Sequence, residues 1–61
     1  MNVHKEKIFK FLKSERVITT SEMAKFLKIN WNTAEKNLLE MVIEGKIEKI
    51  KKEGVNLWIL K

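Results

Sequence analysis

The sequence predicts an α+β domain, with three helices packed on a small antiparallel sheet that ends in a C-terminal β-hairpin. Three stretches carry that prediction. Residues 30–45 hold a helix with an asparagine cap, one apolar stripe and a glycine stop. Thr19-Thr20-Ser21-Glu22 has the spacing of a capping box and opens an earlier helix. After Gly45, two short runs rich in Ile, Val, Leu and Trp flank Glu53-Gly54, which has turn chemistry.

The chain has 61 residues, so residues 1–61 are expected to form one domain. A chain this short buries only about 60% of its unfolded surface. There is no cysteine to supply a disulfide or a thiolate site, so the core must come from the 44% hydrophobic residues. Thirteen Lys and Arg against eight acidic residues leave a net charge of +5. That balance points to a polyanionic partner such as nucleic acid; the plainer reading is a lysine-rich solvated surface. No apolar run reaches the length of a membrane span, and the N-terminus lacks the apolar block of a signal peptide. The expected location is the cytoplasm.

Residues 3–14 read as the first helix. Ile8, Phe11, Leu12 and Glu15 fall on one side, while Lys5, Lys7, Lys10 and Lys13 line the other. His4 has no second His or Cys with which to hold a metal, and no metal or cofactor is expected. Val17-Ile18 fits a brief strand. The capping box then starts a helix whose inward face is Met23, Ala24 and Leu27. Lys28-Ile29-Asn30 connects it tightly to the next helix, a helix-turn-helix pattern.

The long helix is predicted over 31–44, with Ala34, Leu38, Met41 and Val42 inward and Gly45 ending it. Residues 46–52 and 57–60 then read as two strands joined by a turn over 53–56, with Gly54 at positive φ. Ile47 and Ile50 are three apart, which breaks period two and predicts a bulge or a strongly twisted hairpin. Leu57 and Ile59 are expected to face the core and Trp58 to face outward.

This order of elements resembles the winged helix-turn-helix family of DNA-binding domains over residues 5–60. The residues that carry the likeness are Ile8, Leu12, Thr19, Met23, Ala24, Leu27, Ile29-Asn30, Thr33-Ala34, Leu38, Met41, Gly45-Lys46-Ile47 and the wing Lys51-Lys52-Glu53-Gly54. The resemblance implies that the third helix enters the major groove and that the wing touches flanking phosphates. By position, Trp31, Asn32, Thr33, Lys36 and Asn37 would face DNA, and Lys49, Lys51 and Lys52 would neutralise phosphates. Asn suits bidentate pairing with adenine, and Thr suits phosphate or a thymine methyl. Trp58 falls where the related Z-DNA-binding domains place a wing-side tryptophan. The chain lacks their wing prolines and has Glu35 and Leu39 where they carry Asn and Tyr, so Z-DNA binding is not predicted.

The leading expectation is a duplex DNA-binding protein, a small transcriptional regulator whose specificity would need a dimer or a larger parent protein. The alternative is a winged-helix protein–protein interaction module. Trp31, Phe26, Leu39, Ile43 and Trp58 exceed what one small core needs, and a homodimer or protein partner would dock near Leu39, Ile43 and Trp58. The long helix also carries Glu35, Glu40 and Glu44 against Lys36, an acidic balance unusual for a groove reader. One His, no Cys, no Asp and no glycine-rich phosphate loop argue against an enzyme and a small-molecule substrate.

Overall fold

The computed structural model describes residues 3–61; Met1 and Asn2, part of the N-terminal stretch read against a signal peptide, lie outside them. Helix α1 is Val3–Glu15, with Ile8 and Leu12 one turn apart and fully buried. Glu15, expected on that side, is exposed in the last turn. The helix stops where Arg16 turns to φ 70°, its N–H held by the Leu12 carbonyl at 2.8 Å.

Strand β1 (Val17–Thr19) leads into α2 (Thr20–Leu27). The capping box forms as predicted. The Thr19 hydroxyl accepts the Glu22 N–H at 3.1 Å, and the Glu22 carboxylate accepts the Thr19 N–H at 3.1 Å. Met23 and Ala24 are buried and Leu27 is half-buried. Lys28 closes the helix in the left-handed region at φ 58°; its N–H reaches Lys25 O, and the Ile29 N–H reaches Ala24 O. These two bonds form a Schellman motif with lysine where glycine is usual.

Helix α3 (Trp31–Ile43) starts at Asn30, whose side-chain oxygen accepts the Thr33 N–H at 2.8 Å. It ends one residue earlier than expected. Gly45, at φ 79°, donates to Val42 O and Lys46 donates to Met41 O, the same motif built on glycine. Ala34, Leu38 and Met41 are buried as predicted, and Val42 is half-buried.

Strands β2 (Ile47–Lys52) and β3 (Val55–Leu60) complete a three-stranded antiparallel sheet in the order β1-β3-β2. The β2–β3 register runs without interruption from Ile47 opposite Leu60 to Lys52 opposite Val55, so the expected bulge is absent. Ile47 is buried under the helices, while Ile50 lies on the other face of the sheet and is 41% exposed. The turn is shorter than expected. Glu53 and Gly54 alone form it, at φ 51° and 80°, the signature of a two-residue type I′ hairpin. Val55 and Asn56 belong to β3.

Trp58 corrects the assignment of faces. It pairs with Ile18 on one side and Lys49 on the other, points at the helices and is completely buried. Leu57 and Ile59, expected inside, share the outer sheet face with Val17, Ile50 and Val55. Burying the indole rather than two aliphatic side chains joins Trp58 to Ile8, Leu12, Ile18, Met23, Leu38, Met41 and Ile47 in one core. Phe26 packs its ring on Phe11, with centroids 4.2 Å apart, and remains half-exposed.

Candidate nucleic-acid interface

The solvent stripe of α3 runs Asn32, Lys36, Leu39, Ile43, at spacings of four, three and four. Its first half is polar and its second half apolar. Trp31, the first helical residue, is 46% exposed and lines a cleft of about 210 Å³ with Thr19, Thr20, Ser21, Gly54, Val55 and Asn56. The wing turn therefore lies beside the N-termini of α2 and α3. Lys49, Lys51 and Lys52 are all exposed on β2. Lys49 and Lys51 share the sheet face of Ile47, and Lys52 shares that of Ile50. The Lys49 ammonium stands 5.9 Å from the centre of the Trp58 ring, within cation–π reach.

Two of the predicted contact residues are not on this surface. Asn37 is buried, only 6% exposed, and its amide donates to the Thr33 carbonyl at 2.9 Å. With Ala34, Leu38 and Met41 it completes the i, i+3, i+4, i+7 stripe that faces the core. Trp58 is buried as described, so no duplex can reach its ring, and the apolar surface expected near it reduces to Leu39 and Ile43. Thr33 is half-buried, its backbone N–H already held by Asn30. Trp31, Asn32, Lys36 and the three wing lysines remain exposed.

The sequence did not reveal a polar chain that joins the wing to both helices of the helix-turn-helix. The Trp58 indole N–H donates to the Thr20 hydroxyl at 2.8 Å, and that hydroxyl donates to the Glu35 carboxylate at 3.0 Å. The same Glu35 oxygen accepts the Asn56 side-chain amide at 3.4 Å. Thr20 is buried and Glu35 is half-buried. A buried hydroxyl and indole must find partners, and here each completes the other.

The carboxylates of Glu40 and of Glu44, the residue that caps the C-terminus of α3, are engaged at the opposite end of the helix. The Lys5 ammonium of α1 lies 3.2 Å from Glu40 and 2.9 Å from Glu44, and Lys46 lies 3.7 Å from Glu44. The hydrogen bond from Lys5 holds the Glu44 carboxyl below its ordinary range, and Glu44 in turn raises Lys5 above its own. Among the described residues, no group of His, Cys, Asp or Glu side chains is placed to hold a metal ion. No helix among them is long and apolar enough to cross a membrane.

No family model matches the chain, and no curated protein matches it. Among solved structures, the oxidised form of MarR from E. coli superposes with a TM-score of 0.87 at 21% sequence identity, covering 100% of this chain and 45% of that one. The fold is a winged helix-turn-helix. At that identity the likeness establishes architecture, and this chain spans a little under half the length of the MarR structure.

Proposed function

We propose that this domain binds duplex DNA, with α3 in the major groove and the β2–β3 wing on flanking phosphates, and that it serves in transcriptional regulation. The observation that carries this reading is the placement of the α3 carboxylates. Glu35 turns to Thr20 and Asn56, and Glu40 and Glu44 turn to Lys5. Two of the three carboxylates are thus held at the far end of the helix, and Glu35, the one in its N-terminal half, is half-buried and engaged in hydrogen bonds. Asn32 and Lys36 are left as the residues for base edges, Trp31 and Thr33 for the sugar-phosphate rim, and Lys49, Lys51 and Lys52 for phosphates. Its net charge of +5 supplies long-range attraction. The test is duplex binding across a salt series, where phosphate neutralisation gives an affinity that falls steeply with salt.

A second reading, a protein-binding module, is favoured by one observation. Leu39 and Ile43 are 39% and 85% exposed at the C-terminal half of the same stripe. On that reading a protein partner or second copy covers them, and binding is insensitive to salt and lost in Leu39→Ala with Ile43→Ala.

A further inference from the structure

We infer that Glu35 is a positioning residue for the wing, holding Lys49 and Lys51 at a set distance from the reading face of α3. The inference rests on the DNA-binding reading above. Glu35 lies on α3 between Trp31 and Lys36, where a carboxylate facing DNA would repel phosphate or accept from cytosine N4. Its geometry assigns it neither role. One carboxylate oxygen takes both the Thr20 hydroxyl at 3.0 Å and the Asn56 amide at 3.4 Å. Thr20 in turn receives the Trp58 indole at 2.8 Å.

The residues it reaches on β3 are the ones that matter for the wing. Asn56 stands directly opposite Lys51, and Trp58 directly opposite Lys49. The chain of bonds from Glu35 therefore anchors the two β3 positions that flank the wing lysines on their shared face. A hairpin alone is a marginal structure. Lys49 and Lys51 are exposed, so the position of their backbone against α3 decides whether phosphate contact and groove reading occur together.

The test separates position from charge. Glu35→Gln keeps an oxygen that accepts both bonds and removes the negative charge; Glu35→Ala removes both. If Glu35 acts only as a repelling charge, both variants bind duplex DNA more tightly than the wild type, and by the same factor. If it positions the wing, Glu35→Gln binds at least as tightly as the wild type. Glu35→Ala then binds at least about fivefold more weakly, as expected for losing bonds to a charged group, and its salt slope falls by about one phosphate.

Amide hydrogen exchange on the free protein supplies the second measurement. Positioning predicts faster exchange across residues 51–57 in Glu35→Ala, with residues 8–12 of α1 unchanged and Glu35→Gln like the wild type. Unchanged exchange in the hairpin of Glu35→Ala overturns the inference whatever the ligand. Absence of salt-dependent DNA binding by the wild type, with the exchange difference present, overturns the DNA reading and the wing's purpose with it, while leaving the anchor itself in place.

Discussion

The indole N–H of Trp58 donates to the hydroxyl of Thr20 over 2.8 Å, linking the middle of β3 to the first turn of α2 across 38 residues of sequence. Thr20 passes its own proton toward Glu35, so its orientation is fixed from both sides. Thr20→Val keeps the shape and deletes the hydroxyl, which leaves a buried N–H without an acceptor. We expect a loss of about 1–3 kcal/mol by denaturant unfolding, with Thr20→Ser losing clearly less. A larger loss in Thr20→Ser than in Thr20→Val would show that the methyl, not the hydroxyl, is what Thr20 contributes.

Trp58→Ala should cost roughly 3–5 kcal/mol, the range for removing a buried aromatic side chain. A domain of this length has about 3–9 kcal/mol of stability in all, so the variant should be largely unfolded well below the wild-type transition. Circular dichroism on heating checks it; a Tm near that of the wild type would place the ring outside the core.

Lys28 occupies the left-handed position of a Schellman motif at φ 58°, where a side chain is strained and glycine is not. Lys28→Gly should raise stability by about 0.5–1 kcal/mol despite the greater freedom glycine has in the unfolded chain. A loss of stability by chemical denaturation would mean that the lysine side chain makes a compensating contact.

The Lys5–Glu44 pair sets a pH dependence at the far end of α3. The Glu44 carboxyl is lowered by its hydrogen bond from Lys5, so its contribution is complete at neutral pH and disappears as pH falls through its depressed folded value. Lys5 is raised by Glu44, so its contribution holds below the ordinary lysine value and disappears as pH climbs through the raised one. Glu44 is exposed and Lys5 half-buried at the surface, and salt should weaken the effect. Thermal unfolding of Lys5→Met against wild type should show a shallower fall of Tm on the acid side. Superimposable acid limbs would remove the pair from the stability of the fold.

Much of the architecture was legible because it is written locally. The Thr19–Glu22 box, the Asn30 cap and the Gly45 stop are bonds between residues three to five apart, and all three formed where the residue types placed them. The faces of the hairpin were not legible. Ile47 and Ile50 suggested a bulge, yet an unbroken register puts them on opposite faces and leaves Val17, Ile50, Val55, Leu57 and Ile59 on the outer one. Trp58 goes inward because Thr20, distant in sequence, accepts its N–H. The family resemblance puts Asn37 among the contact residues by position. Its spacing from Ala34, Leu38 and Met41 was the available signal, and its amide is satisfied by its own helix at Thr33. Glu35 counted against DNA binding in the sequence, and only the tertiary contacts to Thr20 and Asn56 show where that charge is directed.

On the proposed reading, α3 and the wing form one duplex-binding surface. The most direct measurement is a titration of duplex DNA with wild type and with Lys51→Ala/Lys52→Ala, repeated over a salt series. We expect wild-type affinity to fall linearly on a logarithmic salt scale, and the double variant to bind every sequence more weakly with a slope smaller by about two units. Identical affinity and slope for the two proteins would exclude the wing from the binding surface.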